Sequence, residues 1–355
     1  MSARTIWSIV AGAGLLVGLA AAGPTADAKD AGNDSPAKKD APAKKAPRPP
    51  RPPKVEGPTF LDPNEAGPDY AVQGEYVGSA GSDKVGIQVV AMGKGQFTVV
   101  IYQDGLPGDG YARDKKKVSI QGATKDGKTV FDGGPGKYEA VIENGKLTGR
   151  CDTGEKIAAQ RIIRTSPTLG AKPPAGAIVL FDGTNTEAWI NASIDKRGLL
   201  EMNAETKADL PDCTLHVEFL LPFKPEARGQ DRGNSGIYLQ RRYEVQVLDS
   251  FGLEGRASEC GSLYQRVAPL VNMCYPPLTW QTYDIEFESA KWEDGKKVKD
   301  MSLTVRHNGV VVQDNIHLKS QTGAGRKESP EGGPLWLQGH KNPVFYRNVW
   351  IVPKK

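Results

Sequence analysis

Residues 233–250, GNSGIYLQRRYEVQVLDS, decide the fold class of the C-terminal half of the chain. Their second half alternates apolar with polar residues: Tyr243, Val245 and Val247 against Arg242, Glu244 and Gln246. Successive side chains of a β-strand point to opposite faces, so this alternation predicts strand structure within Gly236–Leu248. The polar row on the second face is either solvent-exposed or the floor of a polar groove.

The flanking sequence contains more runs of β-forming residues: Leu215–Leu221, Thr282–Glu288, Met301–Arg306, Val310–Gln313 and Val344–Val352. Asn308-Gly309 is typical of a tight hairpin turn between two of these runs. Many short strands occupy about 180 residues here, and no long helical pattern appears. Residues 177–355 are therefore predicted to form an all-β sandwich of the jelly-roll type.

Residues 57–164 are predicted to form a small all-β accessory domain. Its β-forming runs are Val85–Val90, Gln96–Tyr102 and Tyr138–Ile142, and Asn144-Gly145 marks a hairpin. The region has no Trp and no His, and its acidic residues mostly precede turn glycines, so no catalytic constellation is visible in it. Residues 165–176, TSPTLGAKPPAG, are predicted to link this domain to the sandwich.

Composition and charge limit the classes of partner. The chain has 355 residues, 38% of them hydrophobic, which is enough for about two folded domains. The net charge is +4, but residues 1–54 contain nine Lys/Arg against four Asp. The rest of the chain therefore carries 37 basic and 38 acidic residues. This balance argues against a nucleic-acid partner for the folded part.

The N-terminus predicts export to the periplasm or secretion. Arg4 precedes the apolar run Ile6–Ala22, and Ala26-Asp27-Ala28 supplies a small-x-small cleavage site, so residues 1–28 are predicted to be a signal peptide. An uncleaved membrane anchor is the alternative. Residues 29–56 are rich in Lys, Ala and Pro and are predicted to be a disordered linker, either a plain spacer or a tail that contacts the anionic cell envelope.

The cysteines and the common motifs exclude several kinds of chemistry. Cys260 and Cys274 are candidates for a disulfide across a short loop, whereas Cys151 and Cys213 are predicted to be free. No Cys/His spacing indicates zinc. The absence of a phosphate loop, a dinucleotide fingerprint and a Gly-x-Ser-x-Gly motif argues against a nucleotide cofactor and against serine hydrolysis.

Several polar and aromatic side chains are candidates for a site. Glu244, Gln246 and Asp249 follow one another at i, i+2 and i+5, and the last step changes face unless a bulge intervenes. Asn234 begins the preceding strand, while Gln338 and His340 end another strand, with His340 able to move a proton. The remaining candidates are Arg347 in the terminal strand and Tyr264, Asn272 and Trp280, which are suited to lining a sugar site.

Five segments, in order, resemble the 3-keto-disaccharide hydrolase domain family (DUF1080), also called 3-keto-glucoside-1,2-lyase/hydratase. They are VLFDGTNTEAW (Val179–Trp189), the segment Gly233–Ser250, NMCYPPLTWQTYDIEF (Asn272–Phe287), VRHNGVVVQDN (Val305–Asn315) and LQGHKNPVFYRNVWI (Leu337–Ile351). The resemblance implies a concanavalin A-like sandwich. It also implies cleavage of glycosides already oxidised to a ketone at C3, by removal of the C2 proton, β-elimination at C1 and hydration.

On this resemblance, roles are assigned as hypotheses. His340 and Glu244 are the acid/base candidates, assisted by Gln246 and Asp249, and Arg242 or Arg347 would stabilise the enediolate. Asn234, Asn272, Trp280 and Gln338 would position the sugar. A divalent metal is a candidate electrophile, with Glu244, Asp249 and His340 as its candidate ligands. The substrate is an oligosaccharide or other glycoside, and a separate sugar 3-dehydrogenase would have to supply the ketone.

Two other functions are compatible with the same fold. A lectin-like carbohydrate-binding module needs amides and aromatic side chains but no base, so the convergence of His340 with Glu244 in one pocket would argue against it. A conventional glucanase needs two carboxyl groups about 5–5.5 Å apart for a retaining mechanism. Gln246 stands where such enzymes commonly carry the central acid, which weakens this second alternative.

Overall fold

The computed structural model describes residues 57–134, 137–151 and 153–354, which form a closed β-barrel followed by a two-sheet β-sandwich. The predicted signal peptide (1–28) and linker (29–56) lie outside the described residues. No helix in the described part of the chain has the length and apolar character needed to span a membrane.

The barrel follows a short helix, α1 (Gly67–Val72). Its strands are β1 (Gly74–Ala80), β2 (Asp83–Gly93), β3 (Gln96–Gln103), β6 (Lys117–Lys125), β7 (Lys128–Gly133), β8 (Tyr138–Glu143), β9 (Lys146–Arg150) and β10 (Lys156–Ile162), with a parallel pair, β4 (Leu106–Pro107) and β5 (Gly110–Tyr111), beside them. The barrel order is β1-β10-β9-β8-β7-β6-β3-β2, all antiparallel. Alternate side chains such as Ile157 and Ala159 point inward and fill it.

The sandwich has a larger and a smaller sheet. The larger sheet contains β11 (Ile178–Phe181), β13 (Leu200–Glu201), β15 (Cys213–Leu220), β18 (Trp280–Glu288), β21 (Met301–His307), β22 (Val310–Leu318) and β24 (Phe345–Pro353). The smaller sheet contains β12 (Trp189–Ile190), β14 (Glu205–Asp209), β16 (Ser235–Leu239), β17 (Tyr243–Val247) and β23 (Pro334–Leu337). A minor hairpin, β19 (Lys291–Glu293) with β20 (Lys296–Lys299), and a 3-10 helix, Gly229–Asp231, complete the described elements.

The strand orders place the core between these two sheets. They are β11-β24-β15-β18-β21-β22, with β13 on β24, and β12-β14-β23-β16-β17. Val217 and Phe219 of the larger sheet and Ile237 and Val245 of the smaller sheet are completely buried in one cluster. The predicted all-β class, a sandwich preceded by a small all-β domain, is confirmed.

The predicted strand segment Gly236–Leu248 is a hairpin of two strands, β16 and β17. Leu239 pairs with Tyr243, so Gln240, Arg241 and Arg242 connect the two strands, and the first two have φ of 49° and 59°. Two successive positive φ values are the signature of a type I′ turn, which usually contains Asn or Gly. The turn sets the register that places Tyr238 directly opposite Glu244. Because this turn lacks the usual residues, the sequence did not reveal the break.

The candidate disulfide between Cys260 and Cys274 is not formed, and all four cysteines are free and buried. The Cys260 sulfur lies 3.1 Å from the Tyr283 hydroxyl, and the Cys274 thiol donates to the Leu248 carbonyl at 3.5 Å. The loop that the disulfide would have closed is held instead by the Asn272 amide, which donates to the Ser250 and Leu253 carbonyls. Side-chain hydrogen bonding replaces the covalent link.

The segment 165–176, predicted as a linker, lies against the outer face of the larger sheet. The Thr168 hydroxyl donates to Asp284 at 2.7 Å, and the backbone N–H of Gly170 donates to Glu218 at 2.5 Å. His216 bonds to Asp284 on the same face at 2.6 Å. Residues 165–176 therefore cover the part of this face around His216, Glu218 and Asp284.

Candidate active site

A cavity of about 310 Å³ lies on the outer face of the smaller sheet. Its lining residues are Gln230, Asp231, Asn234, Tyr238, Glu244, Tyr264, Ala324, Gln338 and His340. Four of the predicted site residues, Asn234, Glu244, Gln338 and His340, are thus brought together, and Tyr264 joins them. The alternation along β16 and β17 explains the location, because residues between the core-facing ones must point to this face.

Glu244 is the buried carboxyl of the pocket, only 2% exposed. The Tyr238 hydroxyl donates to its Oε2 at 2.7 Å. The Gln246 side chain lies 2.9 Å from Oε1 and donates to it when its amide is turned so that the nitrogen faces the carboxylate. Burial raises the pKa of Glu244 to about 7, with the Tyr238 hydrogen bond acting in the opposite direction. Glu244 is therefore poised to exchange a proton near neutral pH.

Gln338 presents an unused acceptor to the same pocket. Its side chain is 5% exposed, and its Oε1 has no hydrogen-bond partner among the described residues. The backbone N–H of Gln338 donates to the Gly236 carbonyl at 2.8 Å, which fixes its place at the end of β23. A Cβ on Gly236 would lie 2.5 Å from Glu244 Oε1 and 3.0 Å from Gln338 Oε1. Glycine at 236 thus keeps open the space that these two groups share.

His340 stands at the rim of the pocket, in the loop that follows β23. The side chain of Asn342 donates to the His340 carbonyl at 3.2 Å and shapes this loop. Partial burial lowers the pKa of His340, so the imidazole is neutral at pH 7. A neutral imidazole can accept a proton at one nitrogen and donate from the other.

Asp249 and Arg242 are not in the pocket, contrary to prediction. Asp249 is buried and accepts from Arg232 Nε at 2.6 Å, because the strand ends at Val247 and the chain turns before Asp249. Arg242 is the last residue of the connection between β16 and β17. Its guanidinium donates to the Ser329 hydroxyl at 2.8 Å and to the Glu331 carbonyl at 2.9 Å, and so it holds a loop.

Three further predicted residues belong to other parts of the sandwich. Arg347 and Trp280 lie together on the larger sheet, with the guanidinium 3.9 Å from the centre of the indole ring. Arg347 donates to Glu218 at 2.7 Å, on the face that residues 165–176 cover. Asn272 faces the junction with the barrel, where its amide holds the loop after Ser250. None of the three lines the pocket around Glu244.

The pocket does not fit the divalent metal that the sequence suggested. Within the described residues, no three His, Cys, Asp or Glu side chains converge as ligands. Both oxygens of Glu244 accept hydrogen bonds, and Asp249 is paired with Arg232. Glu244, Asp249 and His340 therefore do not form a donor set for such an ion, and no chemical step is derived through one.

Sequence reasoning missed four pocket residues: Gln230, Asp231, Tyr238 and Ala324. Tyr238 is two residues from Gly236, so it shares the face of that glycine, but its pairing with Glu244 depends on the unrecognised turn. Gln230 and Asp231 belong to a 3-10 helix outside any periodic strand pattern. Only their contacts in three dimensions identify them.

The sequence that forms the sandwich matches a known domain family. The model of the 3-keto-alpha-glucoside-1,2-lyase-like domain matches residues 176–352, which contain the sandwich and the whole pocket. The chain belongs to this family. The resemblance seen in the five sequence segments is therefore confirmed, and the chain is a carbohydrate-active protein of the glycosyl-hydrolase-like class.

Solved structures of three candidate glycosyl hydrolases from Parabacteroides distasonis ATCC 8503 are similar to this member of the family. The first is 32% identical and covers 51% of this chain and 85% of its own, with a TM-score of 0.47. The second is 20% identical, covering 50% and 99%, and the third 16% identical, covering 54% and 99%, each with a TM-score of 0.36. A comparison with curated proteins gives no match.

Proposed function

We propose that this chain is a lyase/hydratase that cleaves 3-keto-glycosides, with Glu244 as the base. The observation that carries the proposal is a buried carboxyl whose pKa is raised to about 7, in one pocket with His340 and the unpaired Gln338 oxygen. A base with a pKa of about 7 is suited to remove the proton from C2, which the neighbouring ketone at C3 acidifies.

The first half of the proposed reaction is an elimination. Glu244 takes the proton from C2, the C2–H electron pair forms the C2–C3 double bond, and the C3 ketone oxygen becomes negative. The second N–H of the Asn234 amide and of the Gln338 amide is the available donor for this oxyanion, since their first N–H donates to Gln230 and Tyr238, and Arg242 and Arg347 are engaged elsewhere. The enediolate then returns its electron pair, a C1–C2 double bond forms and the C1–O bond to the aglycone breaks.

The second half of the reaction uses Glu244 again, together with His340. The departing aglycone oxygen takes a proton, for which His340 at the pocket rim is the candidate donor. Water then adds across the C1–C2 double bond: its oxygen bonds to C1, one of its protons goes to His340 and replaces the proton given to the aglycone, and protonated Glu244 returns a proton to C2. The sum is hydrolysis of the glycosidic bond, and Glu244 ends as it began.

The pocket gives less support to the two alternatives. A lectin needs no buried carboxyl with a raised pKa beside a histidine. A retaining glucanase needs two facing carboxyl groups, but Gln246 is an amide and Asp249 is paired with Arg232. The remaining acid of the pocket, Asp231, is at its exposed edge.

Turnover should depend on the ketone. We expect the purified full chain to cleave a 3-keto-glucoside, and to leave the unoxidised parent glucoside intact, because only the ketone acidifies the C2 proton. The measurement is release of the aglycone from each substrate, with and without chelator. Equal cleavage of both substrates would favour a conventional glucanase, and binding of both without cleavage would favour a lectin.

The pH dependence should report Glu244. Because the base must be ionised, kcat/KM on the 3-keto-glucoside is expected to rise with pH through a midpoint of about 7. Tyr238→Phe removes the hydrogen bond that lowers the pKa of Glu244, so its midpoint should move to higher pH. Tyr264→Phe is the matched control, since it also removes a pocket hydroxyl. A midpoint that stays in place in Tyr238→Phe would contradict the assignment.

We also propose that the protein acts outside the cytoplasm, in the periplasm or after secretion. The apolar run Ile6–Ala22 with its small-x-small site supports this location. The chemistry requires an oxidoreductase that first converts the sugar C3 hydroxyl to a ketone, because without this ketone the C2 proton is not acidic enough to be removed.

A further inference from the structure

One wall of the pocket is a segment with little regular structure of its own. Residues 224–233 connect the larger sheet to β16 and contain only the 3-10 helix Gly229–Asp231. Gln230 and Asp231 of this segment line the pocket, and Asn234 follows it directly. Whatever holds the segment in place therefore sets the position of three pocket residues.

The barrel supplies the outer support of this segment. Arg228 Nη2 donates to the Met92 carbonyl at 2.7 Å, and Arg232 Nη1 donates to the Ala91 carbonyl at 3.1 Å, both in barrel strand β2. Arg232 is 5% exposed, so this contact is buried. Two arginines of the pocket wall are thus fixed by consecutive backbone carbonyls of the barrel.

The sandwich supplies the inner support through the same residues. Arg232 Nε donates to Asp249 at 2.6 Å, and the backbone N–H of Asp249 donates to the Arg232 carbonyl at 3.0 Å. Lys224 Nζ donates to the Asp231 carbonyl at 2.8 Å and to Asn342 Oδ1 at 2.7 Å. Since Asn342 also holds the His340 carbonyl, the wall and the His340 loop are linked.

The two cores interlock on either side of this segment. Phe223, just before it, is completely buried in the barrel core, where it packs on Phe60 and Tyr70. In the other direction, Val90 of the barrel, next to Ala91, is part of the sandwich core. Rotation of the barrel against the sandwich would displace both Phe223 and Val90. The contact between the two cores therefore fixes the position of the wall.

We propose that the barrel is a positioning domain for the pocket and that Arg232 is the positioning residue that transmits its support. Arg232 connects the Ala91 carbonyl to Asp249 and thereby holds Gln230, Asp231 and Asn234 at the distance the sugar requires. The catalytic consequence rests on the proposed function. The ordering of the wall is a property of the folded protein and does not depend on the proposed reaction.

The test compares two arginines that both donate across the barrel–sandwich junction. Arg232→Gln removes the charge that joins Ala91 to Asp249, whereas Arg113→Gln removes contacts to the Glu254 and Gly255 carbonyls, which do not belong to the wall. In the full chain, we expect Arg232→Gln to raise KM for the 3-keto-glucoside about tenfold with a smaller change in kcat, and Arg113→Gln to leave KM unchanged. Arg232→Lys, which keeps the charge beside Asp249, should recover part of the loss.

Hydrogen exchange provides a readout that needs no substrate. Peptides covering residues 224–234 should exchange at least tenfold faster in Arg232→Gln than in the wild type, and no faster in Arg113→Gln. Unchanged exchange in folded Arg232→Gln, or equal changes in both variants, would overturn the positioning role. If Arg232→Gln exchanges faster than the wild type but the wild type does not cleave the 3-keto-glucoside, the proposed reaction is refuted and the positioning role stands.

Discussion

Glu244→Gln is expected to lower kcat on a 3-keto-glucoside by about 10³-fold, within the range that removal of a general base typically produces. The amide has nearly the same shape and can still accept from the Tyr238 hydroxyl, but it cannot take the C2 proton. The measurement is single-turnover release of the aglycone. The thermal midpoint of unfolding, recorded on the same samples, verifies that the variant is folded.

A carboxyl outside the pocket gives the matched control. Glu205 lies on β14 of the same sheet and pairs with Arg241 at 3.1 Å, and it does not line the pocket. Glu205→Gln should retain kcat within about twofold, since it loses only a partly exposed ion pair. Full activity of Glu244→Gln, or an equal loss in Glu205→Gln, would show that Glu244 is not the base.

Phe223→Ala is expected to destabilise the whole protein by about 3–5 kcal/mol, the range for a buried Phe truncated in a core. Phe223 is completely buried, with its ring centre 5.9 Å from that of Phe60 and 5.4 Å from that of Tyr70. Because this sandwich residue completes the barrel core, both units should lose stability together. The measurement is the urea midpoint recorded by tryptophan fluorescence and by far-ultraviolet circular dichroism.

The two signals separate the possible outcomes for the barrel. All tryptophans of the described residues lie in the sandwich, so fluorescence reports the sandwich, while circular dichroism reports both units. Coincident transitions at a lower urea concentration would agree with interlocked cores. A fluorescence transition that stays in place would contradict them. Ile163→Ala, which truncates a side chain that is 76% exposed, is the control and should change stability by less than about 0.5 kcal/mol.

The sequence located the pocket well where local periodicity was enough. Glu244 follows from alternation within one strand, and Gln338 and His340 follow from their place at the end of another. Neither inference needed the strand order. The resemblance to the family then brought these two strands together, and the structure places their side chains around one cavity.

The pattern of residues within one strand did not predict the place of a side chain where that place depends on which sheet the strand joins. Trp280 and Arg347 are in strands of the larger sheet, so they stack on each other away from Glu244. The partner of Asp249, Arg232, comes from a segment without regular structure. Long-range pairing decides these positions, and no spacing within a short window encodes it.

Gly236 gives a means of reading other chains of the family. A methyl group at this position would lie 2.5 Å from Glu244 Oε1 and 3.0 Å from Gln338 Oε1, so one of these side chains would have to shift to admit it. We expect a relative with alanine or a larger residue at the equivalent place to hold its acid and its amide in different positions. That column of an alignment would then indicate which chains of the family arrange the pocket differently.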